Sequence, residues 1–323
     1  APNYYSLGYL TLGGFRYLYD CPDIMSDVYH LAARRPYNIF AYNTIVKKLT
    51  GRKFNDAFME VCDTMYTLWN ASAEARRPYI PSEPVSAPTR MYTDYTDNFV
   101  IGSDVYAVKK GHVDVPALIR IDSTGKEHKV SLFPHVAGRP QWSPGHGRIY
   151  WSETKTDPRW NLQTESVIGY ISPDGKGKGY MKNGSLMHNP APSPSGDVAS
   201  VRYDIGGRSY IDISDGAAVS SSFHSPDSLQ LVETARIEEL VYATAISENG
   251  YRIYCIDPAG NGSWKCILSP QPVMIKDFGA WQDELMFTCD RTGVNELYHL
   301  DPSDCRLVQK TSTRYGASDF SYS

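Results

Sequence analysis

Nowhere in this 323-residue chain do apolar residues run long enough for a helix to cross a bilayer, so no transmembrane segment is expected. Charge of one sign is scarce as well: 32 Lys and Arg face 36 Asp and Glu, for a net charge of -4. Basic residues cluster only as Lys109-Lys110, Lys176 with Lys178, and Arg34-Arg35, which read as solvated patches. That removes the electrostatic ground for binding nucleic acid, and no nucleic-acid partner is assigned. Cysteine is sparse, and six spread over this length make no disulfide scaffold. Cys21 and Cys62 fall beside and within expected helices of one small domain, and Cys255 and Cys266 flank one expected hairpin. Bridges and buried free thiols both stay open for these pairs. The chain starts Ala1-Pro2 without a basic, apolar leader, so it is cytoplasmic, already processed, or cut from something longer.

Signatures of catalysis are missing too. There is no Gly-x-Ser-x-Gly elbow and no Cys-x-x-Cys pair. None of the eight histidines (30, 112, 128, 135, 146, 188, 224 and 299) has a second histidine four positions on, as zinc-binding helices require. The glycines of Asp204-Ile205-Gly206-Gly207-Arg208 belong to a hairpin turn and lack the strand-loop-helix setting of a phosphate cradle. Ser172-Pro173-Asp174-Gly175 offers too few oxygens for a calcium loop. Glu238-Glu239 and Asp94 with Asp97 are carboxylate pairs that suit either acid/base work or plain surface charge. We therefore assign no catalytic, cofactor-binding or metal-ligating residue and no cofactor.

What the chain has is tyrosine, 24 of them, and a repeat. Tyrosine suits half-exposed strand positions, where its ring packs and its hydroxyl stays wet. Five short alternating segments end at an acidic or hydroxyl residue and run straight into a turn. They are Leu118–Asp122, Ile168–Ser172, Tyr210–Ser214, Ile253–Asp257 and Leu297–Asp301, spaced 50, 42, 43 and 44 residues apart. A second strand precedes each (105–108, 148–151, 198–201, 240–243 and 285–288), and a further strand follows, as at 264–268 and 306–309. Four strands per unit of about 45 residues predicts the blades of a β-propeller, whose radial packing hides sheet edges. A two-sheet sandwich is the rival fold, but it imposes no constant period.

The turn-rich stretches Pro140–Gly147 and Pro190–Gly196, each running into the next strand, resemble the Pro-x-x-Ser-Pro-Asp-Gly turns of TolB-like and tricorn-type (WD40-like) propeller repeats. The resemblance spans residues 90–323 and implies the same fold and a place in the bacterial cell envelope. Residues 315–323 look like the start of a sixth unit, so the ring is expected to have six to eight blades and to be incomplete at residue 323.

Residues 1–78 read as a helical domain. Phe15, Leu18 and Tyr19 share one helical side, Asp23 is a candidate N-cap for a helix ended by Pro36, and a third helix covers Phe40–Leu49. The fourth runs Phe54–Trp69, with Phe54, Phe58, Val61, Met65, Leu68 and Trp69 as one apolar core stripe. Gly13-Gly14 is expected to allow close packing. So small a bundle buries little alone and is expected to lean on the propeller. The stretch Ala71–Thr89 reads as linker, with the proline-rich linker assigned to 79–90, and the propeller occupies 91–323. Gly13–Leu18, Lys47–Gly51, Phe54–Phe58 and Trp69 resemble the helices that follow the zinc site in gluzincin metallopeptidases. The zinc motif itself, His-Glu-x-x-His, is absent from this chain.

Three functions follow as expectations. The first is a non-enzymatic scaffold that holds a protein or peptide, or an envelope protein complex, on a propeller face in the periplasm or at the outer membrane of a Gram-negative bacterium. The second is the middle of a metallopeptidase-related multidomain protein. The third is a carbohydrate-binding or carbohydrate-active propeller, suggested by the aromatics. Trp142, Trp151, Trp160, Trp281 and Tyr315 fall near expected loops and suit either a binding surface or packing between blades. The stretch 151–162 lengthens one loop, and long loops on a rigid ring carry binding surfaces.

Overall fold

The computed structural model describes residues 4–86, 88–134, 138–160, 162–181, 187–215, 218–226, 229–260 and 262–320. Ala87, His135, Asn161 and the closing Ser321-Tyr322-Ser323, which figure in the sequence reading, lie outside the described residues. The chain divides into two compact units, residues 1–77 and 78–323.

Helices α1 (Tyr4–Tyr19), α2 (Ile24–Arg34), α3 (Ala41–Thr50) and α4 (Phe54–Ala75) make the first unit. Phe15, Ile24, Val28, Ile45, Val46, Ala57 and Val61 form its core, with Tyr19, Tyr42, Phe54 and Phe58 packed around them. Asp23 sits at the N-cap of α2, but its side chain makes no capping bond; its carbonyl accepts the Asp27 amide at 3.1 Å. Helix α4 continues past Trp69 into the expected linker, because Ala71-Ser72-Ala73-Glu74-Ala75 favours helix and the first firm stop is Pro78. The expected stripe is core only as far as Met65. Leu68 and Trp69 are exposed, and a groove of about 570 Å³ opens there between α1 and α4, lined by Leu7, Leu10, Tyr17, Met65 and Trp69.

The glycine pair divides its roles. A β-carbon at Gly14 would stand 2.1 Å from Val61 Cγ1, so the close approach of α1 to α4 depends on glycine there. Gly13 faces open space. Opposite signs are therefore expected in chemical denaturation: Gly13→Ala stabilises by about 0.5–1 kcal/mol through helix propensity, and Gly14→Ala destabilises by about 1–3 kcal/mol through overpacking.

The second unit is mainly β: among the described residues, five separate four-stranded antiparallel sheets form a propeller. Blade 1 holds β1 (Thr93–Ile101), β2 (Asp104–Gly111), β3 (Ala117–Ile121) and β4 (Glu127–Leu132). Blade 2 holds β5 (Gln141–Ser143), β6 (Arg148–Thr156), β7 (Thr164–Ile171) and β8 (Gly179–Tyr180). Blade 3 holds β9 (Met187–Pro192), β10 (Val198–Tyr203), β11 (Ser209–Ser214) and β12 (Val219–His224). Blade 4 holds β13 (Gln230–Ile237), β14 (Leu240–Ser247), β15 (Gly250–Ile256) and β16 (Trp264–Gln271). Blade 5 holds β17 (Ile275–Trp281), β18 (Glu284–Cys289), β19 (Glu296–Asp301) and β20 (Arg306–Gln309). The repeated segments are the third strands β3, β7, β11, β15 and β19, each paired between a second and a fourth. Five independent sheets exclude the sandwich.

Each blade alternates its side chains between two neighbours, so successive interfaces carry the core. Tyr106, Val108 and Leu118 of blade 1 meet Ile149, Trp151 and Ile171 of blade 2. Ala199, Val201 and Ile211 of blade 3 meet Val241, Ala243 and Tyr254 of blade 4, whose opposite face carries Tyr242 and Ile253 against Leu285 and Phe287 of blade 5. Among the described residues no such cluster joins blade 5 to blade 1. The other face of blade 1 instead holds Ala107, Ala117, Ile119 and Ile121. Above them Glu127 accepts the Tyr95 hydroxyl at 2.5 Å and the Lys109 ammonium at 2.7 Å.

All six cysteines are free thiols. Cys21 Sγ donates to the Phe15 carbonyl at 3.2 Å, and burial pushes its pKa up. Across the β15–β16 pair Cys266 stands opposite Tyr254 and not Cys255.

Candidate functional site at the hub and the loop face

Antiparallel order sorts the connections of a blade onto two faces. First-to-second and third-to-fourth turns emerge on one face; second-to-third loops and blade-to-blade crossings emerge on the other. The first face is made of tight turns, such as Asp122–Lys126, where the Gly125 amide bonds the Asp122 carbonyl at 2.8 Å and Asp122 Oδ1 accepts the Thr124 and Lys126 amides. The Ser172–Lys176 and Asp301–Arg306 turns follow the same logic, with Asp174 accepting the Lys176 amide and Asp301 that of Ser303. Glu238 and Glu239 are exposed here, and Glu239 pairs with Arg236 at 3.3 Å, which is surface charge and not acid/base machinery.

The loop face differs in kind. Exposed Val113 and Val115 sit in the second-to-third loop of blade 1, Trp160 and Leu162 in that of blade 2, and Ile205 in that of blade 3. Tyr315 is exposed on the crossing that leaves blade 5. Leu162 and Ile205 are held fully in solvent, at 99% and 103% exposure. Among the described residues no exposed large apolar side chain lies within a turn of the opposite face; the nearest is Val219, the first residue of β12. The loop at 157–163 is braced: Asp157 Oδ1 accepts the Arg159 amide at 2.8 Å and the Trp160 amide at 2.9 Å, and the Gln163 amide bonds the Trp160 carbonyl. Arg159 lies 5.3 Å from the Trp160 ring. Of the five aromatics singled out by sequence, Trp160 and Tyr315 are therefore surface, whereas Trp151 is packed between blades 1 and 2, with Trp142 against the same cluster. Trp281 is half-buried, edge-on to His299.

Inside this face lies a hub that the repeat period did not reveal. The innermost strands carry bulges in or near their first halves: Thr96/Phe99 in β1, Leu231/Thr234 in β13 and Lys276/Gly279 in β17. At these bulges stand Asp97, Glu233 and Asp277; Asn189 stands where β9 shifts register against β10, and Arg139 and Asp319 hold the corresponding places outside regular strand. They are separated by 42, 50, 44, 44 and 42 residues. Asp97, Asn189, Asp277 and Asp319 share a left-handed backbone, with φ between 48° and 55°. Short Asp and Asn side chains tolerate that conformation where most residues do not. Asp94, the sequence partner proposed for Asp97, is exposed away from this cluster.

These residues meet across the axis. Arg139, ahead of β5, sends Nη1 to the Asp277 carbonyl at 3.0 Å and Nη2 to the Phe320 carbonyl, with its guanidinium 4.8 Å from the Phe320 ring. Glu233 Oε2 accepts the Phe278 amide at 2.9 Å. Asp277 Oδ2 accepts the Thr288 hydroxyl at 2.8 Å and the Asp319 amide at 3.2 Å. The Asp319 carboxylate is bonded by the Asp97 main-chain amide. Each acid from Glu233 onward thus accepts an amide from the next unit around the ring. Burial, followed by the charge of Asp277, pushes the Glu233 pKa up to about 7. Burial, then the charges of Asp277 and Asp97, push Asp319 up as well.

The helical residues that resemble metallopeptidase helices fall on α1, the end of α3 and α4, with Gly51 closing α3 in a left-handed C-cap. Among the described residues no three His, Cys, Asp or Glu side chains gather as metal ligands.

No family model matches the chain, and no curated protein matches it. Solved structures do. A Mycobacterium tuberculosis puromycin-hydrolysing peptidase is similar over 76% of this chain and 52% of its own, at 14% identity and a TM-score of 0.50. TolB from Acinetobacter baumannii is similar over 64% of this chain and 50% of its own, at 16% identity and a TM-score of 0.49. The chain spans about half the length of both. At 14% identity the likeness to the peptidase speaks to the propeller fold alone.

Proposed function

We propose that the propeller is a non-catalytic binding module that holds a protein or peptide partner on its loop face, in the bacterial cell envelope. One observation carries this reading: among the described residues, large apolar side chains are exposed on the loops of one face and kept out of the turns of the other. Exposure of Leu162 and Ile205 serves nothing in folding, and loops on a rigid ring carry binding surfaces. The hub gives the partner a polarity. Arg139 Nη1 and Nη2 both bond carbonyl oxygens, and its single positive charge is outnumbered by Asp97, Asp277 and Asp319, which favours a basic segment over the mouth. The envelope location is supported by the likeness of the turns at 140–147 and 190–196 to TolB-like repeats.

A photo-crosslinking amino acid tests this in living cells. Placed at 160 or 205 it is expected to trap one discrete adduct, and placed at 123 or 259 on the turn face it is expected to trap none. Equal adducts from both faces would sink the reading. With the partner purified, Trp160→Ala combined with Leu162→Ala is expected to weaken binding at least about tenfold.

A further inference from the structure

Among the described residues the seam between blade 5 and blade 1 has no apolar cluster, and a polar strap crosses it. Residues 310–320 leave β20 with the Lys310 amide on the Leu297 carbonyl at 2.8 Å. Glu296, fully buried, accepts the Thr311 hydroxyl at 2.5 Å, the Thr313 amide at 2.7 Å and the Thr313 hydroxyl at 3.0 Å. The Ala317 amide bonds the Asn295 carbonyl at 2.7 Å. Up to Ala317 the strap is anchored on blade 5, with the Ser312 carbonyl also accepting the Ile80 amide at 2.9 Å. Only past Ala317 does it reach the hub, where Asp319 stands between Asp277 of β17 and the Asp97 amide of β1, and Arg139 holds the Phe320 carbonyl and ring.

We propose that the hub is a proton-dependent clasp: while its carboxylates hold protons the strap closes the seam between blades 5 and 1, and as they ionise its inner end loosens. The charges around Asp319 decide this. Asp277 faces it from β17 and Asp97 from β1, with Glu233 of β13 behind Asp277. Against these four acids stand Arg139, whose hydrogen bonds go to carbonyl oxygens, the exposed Lys276 next to Asp277, and Lys110 of β2, 3.9 Å from Asp97. Like charges at this spacing cannot all ionise without cost. Asp319, the one acid that the strap itself carries, has a raised pKa in the closed hub, so the closed form binds more protons than a form in which that carboxyl stands in water. Closure is therefore fully favoured below the ordinary aspartate range and weakens as pH rises through the raised Asp319 value.

Hydrogen exchange of the whole chain tests the clasp. Protection factors, corrected for the intrinsic pH dependence of exchange, are read at residues 316–319 against those of β18. From about pH 4 to about pH 8 the strap's protection is expected to fall about tenfold relative to β18. Asp319→Asn should flatten that fall with the strap still protected. A flat profile in the natural protein overturns the proposal, as does an undiminished fall in Asp319→Asn.

Discussion

Trp151→Ala is expected to cost the propeller about 3–5 kcal/mol, read as an earlier midpoint in denaturant unfolding followed by the β signal. Its ring is 1% exposed and forms the centre of the wall between blades 1 and 2, with the Phe133 ring 5.4 Å away. Gly169 stands opposite it in the β6–β7 pair, and a β-carbon there would fall 2.9 Å from the indole. The site is thus shaped to one side chain and collapses poorly when it is removed. Trp151→Phe separates packing from bonding. It keeps most of the apolar area but removes the indole donor to Glu153 Oε2, a 2.7 Å bond to a buried carboxylate. A loss of about 1–3 kcal/mol is expected for that variant. Equal losses for the two would mean that the hydrogen bond, not the wall, carries the effect.

Phe15→Ala is expected to be as damaging to a much smaller unit. Phe15 is fully buried and lies 6.0 Å from the Tyr19 ring, 6.1 Å from Phe54 and 6.4 Å from Tyr42. Removing a ring from such a cluster costs about 3–5 kcal/mol. A 77-residue unit has little more than that in total, so the helices should lose their far-UV signal at room temperature or in slight denaturant. Tyr4→Ala, at a 90% exposed position on the same helix, is the control and should change stability by under about 0.5 kcal/mol. A Phe15→Ala protein as resistant as the control would show that the ring cluster does not hold the helices together.

The blade repeat was legible because its signal is local. A third strand such as Leu297–Asp301 alternates its side chains and ends in a turn whose Asp binds nearby amides, so each copy announces itself within about ten residues. The helices were legible for the same reason, up to the point where tertiary contacts take over. Leu68 and Trp69 keep the helical period of Phe58 and Val61, yet they line an open groove. Periodicity names a face and does not say whether anything covers it. The hub was not legible. Asp97, Arg139, Asn189, Glu233, Asp277 and Asp319 differ in type, and their neighbours share little beyond the Asp-Phe pairs at 277–278 and 319–320. Those two pairs, 42 residues apart, were the one available signal.

By itself the sequence determined five strand-turn units, their order and the helical unit ahead of them, because hydrophobic period and turn chemistry act between residues close in the chain. Only the tertiary structure decided which connections share a face, that Trp151 is wall while Trp160 is surface, and that four acids and one arginine meet on a common axis. Those outcomes depend on stacking sheets around a centre, which brings together residues more than 40 positions apart and sets the burial that shifts the pKa values of Glu233 and Asp319.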